Sequence, residues 1–275
     1  MADALPERSP SPLRSAVSDI LADFRIAARQ RAFWTYQAYQ KVRLQYARSL
    51  IGPLWLTATM ALQLVALTYL FSGLFGADMS VIAPWVTVGV IAWTFFSSSL
   101  NESSSILLVN KPYIMESETS LIGFVIGVLM KNLIVAAHHL VLLVILIVWF
   151  RLWPNAEWLW LLASLPVYVI TTASLALILA ILTPRFRDLG PLTENILMVG
   201  FFLTPVLWRP QSLVRNEFIA TFNPLTHLLA IVRQPLLGHA PQTLSWVIAL
   251  WACGLSLLTA LLLLATLRRR IAFWI

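Results

Sequence analysis

A few ionisable side chains interrupt the long apolar runs of this chain, and their types could support chemistry there. Lys131, His138 and His139 share one run, and Glu194 lies in another. Ionisable residues at membrane depth commonly mark ion or proton relays, but these residues form no chain of carboxylates. His138 and His139 point about 100° apart on a helix and therefore cannot face one site. We expect both histidines to be hydrogen-bonded between helices.

Two basic residues are candidates for contact with a lipid phosphate. Lys131 lies about 15 Å from the start of its run. Its side chain either snorkels towards the lipid head groups at the membrane surface or lines a path for the anionic head group of a substrate. Arg48 precedes the first apolar run. It either contacts a lipid phosphate or serves only as a basic residue that fixes the orientation of the span. Gly52 and Pro53 follow Arg48. They predict a sharp corner into the first span, because glycine permits the bend and proline suits a first helical turn.

The sequence contains no motif that would carry catalysis. It lacks a Gly-rich phosphate loop, GxSxG, HExxH and CxxC. The spacing of Asp188 and Glu194 matches no catalytic motif. We expect Glu194 to pair with Arg185 or Arg187 near the surface. The lone Cys253 cannot form an internal disulfide. These observations predict a non-catalytic chain that binds no metal or cofactor, so any transport would be driven by a gradient or by an ATPase on another chain.

The composition indicates an integral membrane protein. Of 275 residues, 59% are hydrophobic and 11% are charged, against about 45–50% and about 25% in soluble domains. The mean hydropathy is +0.81. The net charge of +7 does not indicate nucleic acid, because the basic residues flank apolar segments, as topology signals do.

The apolar runs predict an all-α fold with six transmembrane helices, since a run of twenty or more residues crosses a hydrocarbon core of about 30 Å. The predicted spans cover residues 51–75, 81–99, 121–150, 158–183, 191–208 and 244–267. Of the 19 Lys and Arg residues, most fall on the side of the spans that carries both termini. We therefore predict a multi-pass protein of the cytoplasmic membrane with both termini in the cytosol.

The segments outside the spans divide into three parts. Residues 1–14 are rich in proline and predict a disordered cytosolic tail. Residues 15–50 predict an amphipathic interface helix with a basic arm, which lies in the membrane surface or packs on a partner. The six-span domain covers residues 51–267, and residues 268–275 form a basic cytosolic C-terminus.

Three segments carry a resemblance to a known family. Residues 45–55, QYARSLIGPLW, resemble the Arg-Ser-x-Leu-Gly-Pro-x-Trp signature of type-2 ABC exporter permeases that export O-antigen, capsule and teichoic acid chains. Residues 183–208 are similar to the stretch between the family's fourth and fifth spans, and residues 223–238 to its Asn-Pro-Leu segment. The matching positions are Arg185, Arg187, Asp188, Thr204, Pro205, Val206, Asn223, Pro224, Leu225, Arg233 and Pro235.

The resemblance implies a specific architecture and function. An amphipathic interface helix would precede six transmembrane helices, with short re-entrant helices before the last. Two permeases and two ABC ATP-binding subunits, which hold ATP and Mg, would export a polyprenyl-linked polysaccharide. The loop after the second span would dock the ATPase subunit through Asn110, Lys111, Tyr113, Met115, Glu116 and Glu118.

Aromatic residues are candidates for lining a glycan channel, because sugars stack their apolar faces on aromatic rings. They are Tyr39, Tyr46, Trp55, Trp85, Trp93, Phe95 and Phe96. Anchoring in lipid is the alternative role for each. Two other functions stay open: a type-2 ABC permease for a drug or lipid, and a non-transporting scaffold of glycan assembly.

Overall fold

The computed structural model describes residues 12–45, 49–116, 119–212 and 217–275, and within these ranges every regular element is helical. Two short 3-10 turns, Ala156–Trp160 and Pro210–Ser212, accompany the α-helices. The α-helices are α1 Pro12–Arg29, α2 Arg31–Gln45, α3 Leu54–Phe75, α4 Met79–Val109, α5 Lys111–Glu116, α6 Leu121–Phe150, α7 Leu161–Leu182, α8 Leu189–Leu203, α9 Glu217–Phe222, α10 Pro224–Leu236 and α11 Thr243–Trp274.

Five helical segments are long and apolar enough to cross a membrane: α3, α4, α6, α7 with its preceding 3-10 turn, and α11. The predicted all-helical membrane fold is therefore confirmed. The run at 191–208 differs, because α8 has 15 residues, or about 22 Å at 1.5 Å per residue. The helix ends at Leu203, and the next residue, Thr204, is extended at ψ 139°, because Pro205 disfavours helical backbone in the residue before it.

The N-terminal segment forms two helices, joined at Gln30, where we predicted one. The helix α2 buries Trp34, Ala38 and Val42, an i, i+4, i+8 stripe that packs on α6. The Trp34 ring occupies the position that a Cβ on Gly123 of α6 would take. The second helix is therefore fixed along α6, and the bend at Gln30 lets α1 reach α11 as well.

The helix α4 is the centre of the bundle and contacts α3, α6, α7, α8 and α10. It continues to Val109, beyond the predicted limit of 99. We call the end of the bundle where α1, α5 and the C-terminus of α11 meet the proximal end. The distal end holds the connection from α6 to α7, where the Asn155 amide donates to the Gly238 carbonyl at 3.0 Å.

Candidate functional site

A non-helical segment of turns and bends, residues 204–208, continues α8 towards the distal end alongside α4. Backbone that leaves a helix at membrane depth needs hydrogen-bond donors from protein, because lipid offers none. Arg233 of α10 supplies two: its Nη1 donates to the Pro205 carbonyl at 2.7 Å, and its Nη2 donates to the Val206 carbonyl at 3.3 Å. The Trp85 indole of α4 donates to the Trp208 carbonyl at 3.0 Å. The carbonyls of this non-helical segment are thereby hydrogen-bonded without helical partners.

The Arg233 guanidinium is enclosed by protein. Arg233 is 2% exposed, and its guanidinium carbon lies 4.1 Å from the centre of the Trp85 ring. A Cβ on Gly89 of α4 would overlap the guanidinium and lie 2.7 Å from the Val206 carbonyl oxygen. The close approach of these segments therefore requires glycine at position 89.

Asn223 joins the start of α10 to the end of α8. Its Nδ2 donates to Thr204 Oγ1 at 3.0 Å, and its Oδ1 accepts from the Leu225 amide at 2.9 Å. Pro224 occupies the first turn of α10, where its missing N–H has no helical partner to lose. The Thr-Pro-Val and Asn-Pro-Leu segments, which are separate in the sequence, thus form one structural unit with Arg233.

A second charged cluster lies between α2, α4 and α6. Lys131 of α6 forms a salt bridge with Glu102 of α4. Burial lowers the pKa of the Lys41 ammonium on α2, while the Glu102 carboxylate raises it and the Lys131 ammonium lowers it further. The two lysines therefore share one carboxylate, which leaves an excess of positive charge where the N-terminal helices meet the bundle.

The predicted corner at Gly52 and Pro53 lies between α2 and α3. Gly52 has a φ of +56°, a conformation that glycine adopts at little cost, and Pro53 directly precedes α3. Tyr39 of α2 and Trp55 of α3 are both exposed. Arg48 and Tyr46, which we predicted to contact a phosphate and a sugar, lie outside the described residues.

The other predicted aromatic residues pack inside the chain. Trp93 contacts Phe96 and Phe201 with ring centres 5.8 and 5.9 Å apart, and Phe95 lies 6.2 Å from Tyr168. All three predicted rings are buried, and Trp85 is half-buried beneath Arg233. Of the described candidates, Tyr39 and Trp55 keep the largest accessible ring surface.

The ionisable residues of the apolar runs are not joined to one another. The expected contact between helices is wrong for the His138 ring, whose Nδ1 lies 2.8 Å from the Ile134 carbonyl of its own helix. The His138 carbonyl accepts from Thr57 of α3 at 3.2 Å. Glu194 is exposed on α8 and, within the described part of the chain, has no salt-bridge partner. Its expected pairing with Arg185 or Arg187 is therefore wrong, because α8 carries Glu194 more than a turn away from the loop that holds them.

The predicted ATPase-docking segment forms the short helix α5 at the proximal end. Asn110 is buried and caps α4, with its Nδ2 donating to the Ile106 carbonyl at 2.7 Å. Lys111 Nζ donates to the Ile275 oxygen at the end of α11, also at 2.7 Å. The accessible side chains of α5 include Tyr113, Met115 and Glu116. Glu118 lies outside the described residues.

Asp23 is a buried acid that the sequence reasoning missed. Its side chain is fully enclosed where α1 meets α6 and α11. The apolar pattern did not signal it, because Asp23 lies about 110° around the helix from the centre of the apolar face of Ile20, Leu21 and Phe24. In the structure Leu21 and Phe24 are exposed and α1 buries Asp23 and Ala27 instead, and a charge buried in this way requires a partner.

These elements define a multi-pass helical membrane protein with five helical segments long and apolar enough to cross a membrane. Among the described residues, no group of three or more His, Cys, Asp or Glu is arranged to hold a metal ion. Residues 35–237 match the family model of the ABC-2 type transporter, and the chain belongs to that family.

The chain is similar to three named proteins. The chain is 25% identical over 229 residues to the "O-antigen export system permease protein RfbA" of Myxococcus xanthus, covering 80% of this chain and 86% of that one. Two proteins of the same name from Klebsiella pneumoniae are each 24% identical, over 68% and 70% of this chain and 73% and 75% of their own lengths.

Proposed function

We propose that this chain is the permease subunit of an ABC transporter that exports lipid-linked polysaccharide, such as O-antigen or capsule, across the cytoplasmic membrane. Membership of the ABC-2 family supports transport, and similarity over 80% of the chain to an O-antigen export permease supports the glycan. The permease itself is non-catalytic. A separate subunit hydrolyses ATP with Mg and drives export.

The proposed permease has six crossings and cytosolic termini. The fifth crossing consists of α8 and the non-helical segment 204–208. A Cβ on Gly190 would lie 3.8 Å from Ser104 of α4, and Trp85 of α4 binds the Trp208 carbonyl. This stretch therefore follows α4 from Ser104 to Trp85, a length of about 28 Å at 1.5 Å per residue of α4. That length approaches the thickness of the hydrocarbon core. The short helices α9 and α10 are the re-entrant segment before the last span.

The substrate enters near the N-terminal helices at the proximal side. Lys41 and Lys131 share the single carboxylate of Glu102, so one positive charge remains for a lipid phosphate, with Arg48 as a further contact. Tyr39 and Trp55 offer accessible rings to the first sugars, and Tyr46 lies between them in the sequence.

The ATPase subunit docks on α5. Its exposed Tyr113 and Met115 are the large apolar side chains that protein interfaces favour. A second copy of the chain completes the channel, so the transporter contains two permeases and two ATPases.

Co-purification tests this proposal. The tagged chain is extracted from its native membrane in mild detergent, and mass spectrometry measures whether an ATP-binding cassette subunit is recovered in near-equal amount. Tyr113→Ala with Met115→Ala should reduce that recovery, while Trp153→Ala, at the exposed distal end, should not. Recovery without any ATPase would contradict the proposal and favour a scaffold. Stimulation of the ATPase by small hydrophobic compounds, but not by lipid-linked glycan, would favour a drug or lipid permease.

A further inference from the structure

Asp23 of α1 binds the N-terminus of α6. Its Oδ2 accepts from Ser120 Oγ at 2.7 Å and from the Ile122 amide at 3.0 Å, and its Oδ1 accepts from the Leu121 amide at 3.2 Å. The first amides of a helix have no intrahelical acceptor, and they carry the positive end of its dipole. A carboxylate from another helix is therefore a strong partner for them.

Ser120 connects this contact to the cap of α6. Its Oγ donates to Asp23 and also accepts from the Gly123 amide at 2.9 Å. Ser120 directly follows residues 110–119, the loop that contains α5. The start of α6 is thus held by a side chain of α1 at the point where the proposed ATPase-docking loop ends.

The C-terminal part of α11 completes the arrangement. Arg268 Nη2 lies 3.0 Å from Asp23 Oδ1, and Arg268 Nη1 donates to the Asp19 carbonyl at 3.0 Å. The last residue, Ile275, accepts from Lys111 at the start of α5. Polar contacts therefore join α6 to α1, α1 to α11 and α11 to α5 at the proximal end.

We propose that Asp23 is a positioning residue that makes α1, the start of α6 and the end of α11 move as one unit with the docking helix α5. Separating a buried, hydrogen-bonded charge pair is strongly unfavourable, so these elements follow α5 together when the ATPase subunit shifts it. The movement reaches the N-terminal helices, which lie at the proposed entry of the lipid-linked substrate. This inference rests on the proposed function.

A residue that only stabilises the fold would affect the melting temperature and the yield of the complex. A residue that transmits movement also changes how much glycan is exported for each ATP hydrolysed. The ratio of export to hydrolysis therefore separates the two roles.

The experiment uses the complete transporter, with its ATPase subunit, in proteoliposomes loaded with lipid-linked polysaccharide from the native membrane. We expect Asp23→Asn to lower export per ATP about tenfold, the range of typical coupling between sites. Arg268→Gln should lower it less, because the cap of α6 stays intact. Asp19→Asn is the matched control: it removes the same charge from the same helix, where Asp19 pairs with the exposed Arg269, and it should leave the ratio unchanged.

Two results would overturn the inference. One is an unchanged ratio in Asp23→Asn and Arg268→Gln with only the melting temperature lowered. The other, if Asp23→Asn cannot be purified, is an unchanged ratio in Arg268→Gln alone. Failure of the proposed function would instead appear in the wild-type complex, as the absence of the ATPase subunit or of glycan export.

Discussion

The guanidinium of Arg233 lies 4.1 Å from the centre of the Trp85 ring, which joins α10 to the distal part of α4. The two side chains also bind the same non-helical segment, Arg233 through the carbonyls of Pro205 and Val206 and Trp85 through that of Trp208. A desolvated cation over an indole contributes about 2 kcal/mol. This pair therefore stabilises backbone whose carbonyls have no donors from a helix of their own.

Replacing Gly89 should disrupt this contact. A methyl group there would overlap Arg233 and approach the Val206 carbonyl, so Gly89→Ala should destabilise the fold by about 1–3 kcal/mol, as overpacking does. The thermal unfolding of the detergent-purified protein measures the effect. Gly254→Ala is the control, because nothing lies within 4 Å of a Cβ at that helical position. Equal melting temperatures for the two variants would contradict the prediction.

Arg233→Lys should also lower stability although it keeps the positive charge. A lysine presents a point charge, whereas the arginine fork reaches two carbonyls at once. We expect a loss of about 1–3 kcal/mol from the carbonyl left without a donor, seen as a lower melting temperature. Arg185→Lys, at an exposed position, should melt like the wild type. A stable Arg233→Lys protein would show that the fork is dispensable.

Lys41 should react with acylating reagents at lower pH than a lysine with an ordinary pKa does. Burial lowers its pKa, and the neutral amine is the nucleophile, so a lower pKa increases the reactive fraction at a given pH. Glu102→Gln removes the group that raises the pKa and should move the reaction to still lower pH, whereas Lys131→Gln should move it higher. Mass spectrometry of Lys41 after labelling from pH 7 to 10 gives the profile. Identical profiles in all three proteins would disprove the proposed electrostatic coupling.

Lys131→Gln should reduce glycan export if the lysine contacts a lipid phosphate. The single variant also leaves Glu102 without its salt-bridge partner, so the double variant Lys131→Gln with Glu102→Gln is the control for stability. We expect the double variant to be recovered at wild-type levels and to export poorly in the proteoliposome assay. Restored export in the double variant would limit Lys131 to a structural pairing.

The orientation of the bundle can be measured by cysteine labelling in intact cells. With Cys253→Ser as background, single cysteines replace Trp153 at the distal end and Glu116 at the proximal end, both exposed. A membrane-impermeant maleimide should label Trp153→Cys directly and Glu116→Cys only after the membrane is permeabilised. The opposite pattern would place the termini outside the cytosol.

Local sequence alone determined the class of the protein and most of its helices. Crossing a membrane requires a long apolar run, a property of consecutive residues, so the positions of α3, α6, α7 and α11 followed from composition. The corner at Gly52 and Pro53 was equally local, because backbone preference belongs to the residues that form the turn. The two-part N-terminal segment was not predicted, since the bend at Gln30 depends on the surfaces that α1 and α2 contact.

Only the tertiary structure decided the roles of the buried charges. In the sequence, Arg233 is indistinguishable from an arginine that only signals topology. Its role as a donor to the carbonyls of Pro205 and Val206 is visible only in the fold. Asp23 similarly binds groups about a hundred and about 250 positions away in the chain, at Ser120 and Arg268. A buried charge is tolerated only with partners, and the identity of partners distant in the sequence is set by packing, which no local pattern contains.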